Sequence, residues 1–483
     1  MHGMSSFIMS TSQEDIIQQA APTKSPGSIA AGIFRAYDIR GLYGSELNQE
    51  SVTLISRAIG TEALESGIDC LLVGFDGRLS SPELSKYLLE GILSTGCNVI
   101  NLGLIPTPLL YFATHTLNCG SGVMLTASHN PANYNGLKIV FRQSCLAPNQ
   151  LQAIRKRADG GRFANGVGTE SIFDIKDQYI QKVASDIKLA RKLKVVVDCG
   201  NAVTGIIAPQ FFQALGFDVV PLFCEVDGSF PNHHPDPTVV SNLEQLTQAV
   251  KTEKADIGIA FDGDGDRLGI ITNLGHFVDA DQMLMLLAKD IIPKYPGKPI
   301  IFDVKCSSRL IQTIHDCGGV PVMNRSGHSF MKRRMQETNA PLAGEFAAHI
   351  FIKDRWFGFD DGLYTAARLM EILSQNSQSV DTQFAYLPSA FTTPEIKIFV
   401  NDDEKFKLMD RIIELAQFSD ASISYLDGIR ADFGDGWGLI RASNTTPALF
   451  LRFEAESAER LLALKSEFKA LLLTADKTLV VDF

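Results

Sequence analysis

Val123-Met124-Leu125-Thr126-Ala127-Ser128-His129-Asn130-Pro131-Ala132-Asn133-Tyr134-Asn135-Gly136-Leu137-Lys138-Ile139 begins as an apolar run and then breaks abruptly into small and polar residues. The run reads as the end of a buried strand, and the break as a loop. A loop at a strand end is where α/β sheets put chemistry. Ser128 sits at the tip and is followed by His129, Asn130 and Pro131, so its hydroxyl is held on a constrained turn suited to a nucleophile or a phosphate carrier. Asn133, Asn135 and Gly136 turn the chain back, which brings the Lys138 cation within reach. Most Ser-His neighbours are merely a polar turn, so the rest of the chain decides the weight of this one.

Working outward, an apolar strand ends in aspartate at Val73-Gly74-Phe75-Asp76, at Val196-Val197-Asp198 and at Ile301-Phe302-Asp303. Each is followed by a helical segment, a glycine and a second apolar run, at Gly96 to Leu102, Gly216 to Phe223 and Gly318 to Met323. The glycines follow their aspartates by 20, 18 and 15 residues, the span of one crossover helix with its turns in a β-α-β unit. Three related α/β domains in tandem are expected.

The third strand of each unit then ends in an unusual loop. The first is the Ser128 stretch; the second, after Ile257 to Phe261, is Asp262-Gly263-Asp264-Gly265-Asp266-Arg267; the third, after Leu342-Ala343, is Gly344-Glu345-Phe346-Ala347-Ala348-His349. Different chemistry at equivalent positions of three copies points to one site assembled where the domains face each other. In the second loop, glycines let the chain curve so that Asp262, Asp264 and Asp266 surround one point. Like charges that close need a hard divalent cation. A calcium loop of the EF-hand kind would carry Gly at its sixth position and Glu at its twelfth, where this chain has Arg267 and Asn273. Three carboxylates leave open positions on the ion, which suits Mg2+ shared with a phosphate oxygen.

Composition sets the outer bounds. At 483 residues the chain exceeds one core and fits three or four domains of ordinary size. Its 45% hydrophobic and 20% charged residues are values for a soluble globular protein, and no apolar run reaches the roughly 20 residues that span a bilayer. A formal net charge of −11 repels nucleic acid and anionic lipid, so an anionic substrate must be held by a local cluster of cations. The eight cysteines lack a C-x-x-C pair, which favours reduced thiols and a cytoplasmic setting. Residues 1–28 are rich in Ser, Gln, Ala and Pro without a hydrophobic signal region, and read as a disordered extension. The domains then run 29–173, 174–276, 277–385 and 386–483, with the polar stretch Ser374 to Gln383 expected as a linker.

The last segment is a smaller mixed pattern of helices and strands. Between strand-like Gly438 to Ile440 and Phe450 to Phe453 lies Arg441-Ala442-Ser443-Asn444-Thr445-Thr446-Pro447, a guanidinium followed by hydroxyls, an amide and loop N–H groups, as a phosphate requires. Near the other end, Ile33 to Gly41 packs aromatic, acidic and basic residues together, with Arg40 the side chain of interest.

Assembled, these stretches resemble the α-D-phosphohexomutase family, and within it the bacterial branch acting on mannose and glucose phosphates. The resemblance rests on FRAYDIRG at Phe34 to Gly41, TASHNP at Thr126 to Pro131, DGDGDR at Asp262 to Arg267, DVKC at Asp303 to Cys306, RWFGFDDG at Arg355 to Gly362 and RASNTTP at Arg441 to Pro447, and it covers about Ile33 to Glu454. It implies three α/β domains and a smaller α+β C-terminal domain of TATA-binding-protein-like fold around a central cleft. It implies interconversion of hexose 1-phosphate and hexose 6-phosphate through a phosphorylated Ser128 and a hexose 1,6-bisphosphate, with Mg2+ held by Asp262, Asp264, Asp266 and the phosphoserine. Lys138 is expected to move the sugar hydroxyl proton, assisted by Arg40 and His129, with Arg267 neutralising charge and His349 on the sugar side. Tyr37, Lys305, His328 and Glu345 would contact the sugar phosphate, and Arg441, Ser443, Asn444 and Thr445 would clamp its phosphate. Hexose phosphates are then the partners of a monomer or weak homo-oligomer. The alternatives are a mutase for another sugar phosphate such as glucosamine phosphate, or a catalytically silent sugar-phosphate-binding relative.

One departure bears on the sugar. The family pattern Gly-Glu-Met-Ser-Gly-His is replaced by Gly344-Glu345-Phe346-Ala347-Ala348-His349, which removes a hydroxyl expected against the substrate. A neutral hydrogen bond contributes about 0.5 to 1.5 kcal/mol. Ala347→Ser is therefore expected to raise kcat/KM for at least one hexose phosphate by roughly three- to tenfold; unchanged values across glucose, mannose and glucosamine phosphates would contradict this reading of the loop.

Overall fold

The computed structural model describes residues 29–443 and 446–483; the expected disordered extension at 1–28, together with Asn444 and Thr445, lies outside the described residues. The three aspartate-ended runs are central parallel strands, Cys70–Phe75, Lys194–Asp198 and Pro299–Asp303. Leu71 to Val73, Val195 to Val197 and Ile300 to Phe302 are buried throughout, the continuous apolar signature of strands covered on both faces. Each is followed by a crossover helix, at Ser81–Leu93, Ala208–Ala214 or Ser308–Asp316, and then by a parallel neighbour, at Asn98–Leu104, Asp218–Leu222 or Val320–Asn324. Gly96, Gly216 and Gly318 close the helical turns with φ of 93°, 94° and 83°, conformations that cost a side chain and not glycine.

On its other side each central strand pairs in parallel with the third strand, Gly122–Leu125, Ile257–Phe261 or Leu342–Gly344. That strand in turn pairs antiparallel with Tyr134–Phe141, Leu268–Thr272 or Ile350–Ile352. The four-strand order is the same in all three sheets, so the loops after the third strands are structurally equivalent. The fourth sheet is antiparallel, with Ala448–Ala455 and Gly436–Ala442 at its centre and the helices Lys405–Leu415 and Ala458–Ala475 packed on it.

One apolar core runs through the first three domains. Phe112 of the first stacks on Trp356 of the third at 5.6 Å and 7°, Trp356 stacks on Tyr364 at 4.3 Å, and Tyr179 of the second meets Phe112 edge-on at 5.3 Å. Shared burial of this kind fixes three loops relative to one another. The fourth domain keeps a separate core and docks on the third through buried cations. Arg430 donates to the carbonyls of Val304 and Cys306 at 2.6 and 2.9 Å, with its guanidinium 3.7 Å from the centre of the Trp437 ring. Arg452 pairs with Asp281 at 3.0 Å, donates to the Lys305 carbonyl and stacks over Phe346 at 3.5 Å.

The stretch expected as a linker, Ser374 to Gln383, is structured. Ser374 ends the helix Gly362–Ser374, and Val380–Ala385 forms another helix whose Val380 and Phe384 are buried. Thr272 Oγ1 donates to Asp381 at 2.7 Å, and the Asp381 N–H donates to Asn273 at 2.9 Å, tying this segment to the second domain. Polar residues face solvent here while the apolar pair four apart packs inward. Among the described residues no helix is long and apolar enough to cross a membrane.

Removing a partner from a buried ion pair costs about 3 to 5 kcal/mol, because the other charge is left uncompensated. Arg452→Ala strands Asp281, and should lower the unfolding free energy of the third and fourth domains by that amount, read as a lower chemical-denaturation midpoint. A midpoint equal to the parent's would show that Arg452 does not hold the fourth domain.

Candidate active site

Three strand-end loops and the fourth domain enclose a cleft of about 700 Å³, within the range of small-molecule sites. Tyr37, His129, Arg267, Lys305, His328, Glu345, His349, Arg441 and Ser443 line it. Ser128, Lys138 and the three aspartates of the acid loop adjoin this lining through His129, Arg267 and His349, and each is 3% exposed or less.

Ser128 is held from several directions. Its backbone takes φ of 52°, left-handed for a residue with a side chain, which costs roughly 1 to 3 kcal/mol unless the surroundings enforce it. They do: its N–H donates to Thr126 Oγ1 at 2.9 Å, and Thr126 in turn donates to Asp76 at 2.7 Å. Fully buried Arg78 donates to the carbonyls of Ser128, Asn130, Pro131 and Tyr134 at 2.6, 2.7, 2.6 and 3.0 Å, while its Nε pairs with Asp76 at 3.1 Å. This clamp was not read from the sequence, where Asp76-Gly77-Arg78 looks like an ordinary strand exit; an arginine two residues beyond a repeated strand-end aspartate is the signal available.

The Ser128 hydroxyl crosses to the second domain, donating to Asp262 Oδ2 at 2.7 Å, with His129 Nδ1 3.1 Å away. The close approach needs Gly263, where an added Cβ would sit 2.1 Å from the Ser128 carbonyl oxygen. Asp264 Oδ2 accepts from Thr107 Oγ1 at 2.5 Å and from Lys138 Nζ at 2.7 Å, and Lys138 also reaches Asp266 Oδ2 at 2.5 Å. Thr107, after Pro106, is a second residue the sequence reading missed.

The acid loop fits a hard cation by its own chemistry. One carboxylate oxygen from each aspartate lies within 4.8 Å of the others, and Asp264 Oδ1 and Asp266 Oδ1 have no hydrogen-bond partner among the described residues. Burial, then repulsion from Asp266 and Asp264, pushes the Asp262 carboxyl well above the usual range. Burial also acts to raise Asp264, but the adjacent Lys138 ammonium overcomes it and holds that carboxyl at about 2. Two like charges 4 Å apart at an effective dielectric of 20 repel by about 4 kcal/mol, so a further anion on Ser128 demands a divalent counter-charge. A second grouping, Asp266 with His349 and Asp360, is also close enough to hold an ion, but Asp360 is already paired with Lys332 at 2.7 Å.

Around these groups, Arg40 bonds Asp38 at 2.8 Å and Asn130 Oδ1 at 2.5 Å, bracing the serine loop from the edge strand Ile39–Leu42. Burial, then the Arg267 and Arg40 charges, drives the His129 imidazole well below its usual pKa, so it is neutral. Arg267 stands 3.9 Å from Asp262 and donates to His349 Nε2 at 3.0 Å, joining the second and third loops. His328 lies edge-on to Tyr37, ring centres 4.7 Å apart, and burial followed by the Lys332 charge keeps it neutral as well. Glu345 accepts from the Gly327 N–H at 2.5 Å. Ala348 adopts φ of 67°, where a side chain costs about 1 to 2 kcal/mol and the glycine of the family pattern would not.

At the cleft's far wall two cations carry carboxylate partners. Lys305 pairs with Glu395 at 2.9 Å, and Arg441 with Asp427 at 2.8 Å. Ser443 Oγ accepts from the Thr446 N–H at 3.0 Å. The remaining predicted clamp residues, Asn444 and Thr445, lie outside the described residues.

Comparison with known proteins agrees with this architecture. Family models described as phosphoglucomutase/phosphomannomutase alpha/beta/alpha domains I, II and III match residues 31–165, 177–275 and 279–391, and the C-terminal domain model matches 395–471. The phosphomannomutase/phosphoglucomutase of Pseudomonas aeruginosa is 52% identical over 456 residues, covering 94% of this chain and 98% of that protein. The phosphoglucomutase of Neisseria meningitidis is 44% identical over 449 residues, covering 92% of this chain and 97% of that one. A crystal structure of a phosphoglucomutase/phosphomannomutase family protein from Burkholderia thailandensis superposes with a TM-score of 0.90 at 43% identity, covering 94% of this chain and all of that one. With four domain models matched in order, relatives aligned along nearly their whole length and the same fold, the chain belongs to the phosphoglucomutase/phosphomannomutase family.

Proposed function

We propose that the chain is a phosphohexomutase interconverting hexose 1-phosphate and hexose 6-phosphate, of mannose, glucose or both, with Ser128 as phosphoryl carrier and a hexose 1,6-bisphosphate as intermediate. The observation that carries this reading is the 2.7 Å approach of the Ser128 hydroxyl to the acid loop, with a second cationic end to the same cleft at Lys305 and Arg441. A bisphosphate needs two anion sites facing one sugar, and cations at both ends of the cleft, Arg267 at one and Lys305 with Arg441 at the other, support that reading.

Phosphoryl transfer asks for alignment and charge neutralisation more than for covalent help from the protein. Asp262, Asp264 and Asp266 would hold Mg2+, which when bound draws negative charge from the transferring phosphoryl oxygens. Arg267, beside Asp262, and Lys138, beside Asp264 and Asp266, add positive charge around the acid loop. Burial favours a neutral Lys138 amine, but Asp264 and Asp266 outweigh it and hold the group protonated, so its role is electrostatic as placed. Neutral His129, 3.1 Å from Ser128 Oγ and open to the cleft, is the group free to take and return a proton. At the far end, an incoming phosphate would share Lys305 and Arg441 with their carboxylates Glu395 and Asp427, and Tyr37, His328, His349 and Glu345 would meet the sugar.

Coupled assays with glucose 1-phosphate, mannose 1-phosphate and glucosamine 6-phosphate, each started with a hexose 1,6-bisphosphate, test the proposal. Turnover of at least one substrate, abolished by chelator and restored by Mg2+, is expected; absence of turnover on all three would leave only a binding relative. In the same assay Gly263→Ala should lower kcat by about a hundredfold, the scale of a 1 Å misplacement, because its methyl group collides with the Ser128 carbonyl. Activity within twofold of the parent would contradict the proposed contact.

A further inference from the structure

All eight cysteines are free thiols, and two of them meet on the second domain: Cys199 Sγ and Cys224 Sγ lie 3.4 Å apart. Each follows the end of a neighbouring parallel strand, Lys194–Asp198 and Asp218–Leu222. Their separation of 25 residues hides the pair from any motif search. Cys199 is fully buried and Cys224 is partly buried, so Cys224 is the more accessible residue of the two.

We propose that Cys199 and Cys224 are an oxidisable pair that a peroxide closes to an intrachain disulfide, weakening the Ser128–Asp262 contact. In the reaction the Cys224 thiolate attacks the peroxide. The S–O bond forms as the O–O bond breaks, hydroxide leaves and is protonated to water, and Cys224 becomes a sulfenic acid. The Cys199 sulfur then attacks the Cys224 sulfur. The S–S bond forms, the S–O bond breaks, and the departing hydroxide takes the Cys199 proton as a second water. Two thiols lose two electrons and two protons, which hydrogen peroxide accepts.

The surroundings suit this order of events. In the neutral pair the Cys224 S–H is shared among the Cys199 sulfur and the carbonyls of Leu222 and Val197, at 3.4, 3.4 and 3.6 Å. Once Cys224 is deprotonated, the Cys199 S–H becomes the donor, and this is the largest influence lowering the Cys224 thiol below its usual pKa. Burial and then the same hydrogen bond drive Cys199 well up, keeping it the protonated partner.

Two routes lead from the pair to the phosphoryl site. Chain 224–230 lies against the Arg78 turn: an added Cβ at Gly228 would sit 2.4 Å from the Leu79 nitrogen, one at Gly77 would sit 2.5 Å from Val226, and the Phe230 ring centre is 5.5 Å from the Arg78 guanidinium. Arg78 is the clamp on Ser128. On the other side, Thr204 approaches Gly265 of the acid loop so closely that an added Cβ there would be 2.4 Å from its methyl group. Drawing the sulfurs from 3.4 Å to the roughly 2.05 Å of a disulfide tethers the two strand exits to each other, and in the proposed mechanism this tether shifts them.

The test treats the full-length protein with hydrogen peroxide and reads intact mass, linked tryptic peptides and turnover before and after a thiol reductant. Loss of two hydrogen masses, a Cys199–Cys224 cross-link and at least about tenfold reversible loss of kcat are expected. Cys224→Ser and Cys199→Ser should each abolish all three changes, and Cys119→Ser, which removes a thiol near Cys70, should keep them. The turnover arm rests on the phosphohexomutase reading, whereas mass and mapping stand without it. Unchanged mass, a cross-link elsewhere, or the expected cross-link with undiminished turnover would each overturn the proposal; an inactive reduced protein would instead count against the mutase reading.

Discussion

The hydrogen bond between Ser128 and Asp262 spans 134 residues of sequence and joins two domains, and the rest of the structure makes it possible. Neither side could hold it alone. The serine needs a left-handed backbone, enforced by Arg78 and Thr126, and the acid loop needs glycine at 263 so that the two backbones can touch. Beneath both, the Phe112, Trp356, Tyr364 and Tyr179 rings bind three domains into one core, so the loops cannot drift independently. The function proposed for the cleft is a consequence of that rigidity.

Charge organisation follows from the same contact. The inner end gathers Asp262, Asp264 and Asp266, and one cation, Lys138, pairs with two of them. At the outer end cations and carboxylates are more evenly matched, with Lys305 paired to Glu395 and 4.0 Å from Asp303, and Arg441 paired to Asp427. Under the proposed function the inner end would take a divalent ion and an anion together, and the outer end an anion without a metal. This asymmetry suits a sugar carrying phosphate at both ends, one to be transferred and one to be gripped. The fourth domain is attached by Arg430 and Arg452 and by a small apolar cluster in which Val304 meets Trp437 and Leu439, and it brings Arg441 to the outer end from a separate unit.

Much of this was legible in the chain. Strands buried on both faces leave continuous apolar runs, so the three repeats ending at Asp76, Asp198 and Asp303 declare themselves, and their equivalent third loops with them. What escaped depends on partners distant in sequence. Arg78 looks like a solvated loop residue until its four carbonyl acceptors are assembled, and Thr107 gains meaning only beside Asp264. The polar stretch after Ser374 was read as a linker because composition outweighed the spacing of Val380 and Phe384, the two residues that anchor its helix. Lys138 is expected as the proton carrier from its place in the loop; its pairing with both Asp264 and Asp266 is a contact that spacing alone cannot reveal.

The most direct measurement is intact mass of the purified protein before and after incubation with a hexose 1,6-bisphosphate and Mg2+, followed by peptide mapping of any phosphate. The account predicts one phosphoryl group, carried on Ser128 and removed by excess hexose monophosphate. A phosphate that maps to another residue, or a protein that never acquires one while turning over substrate, would contradict it.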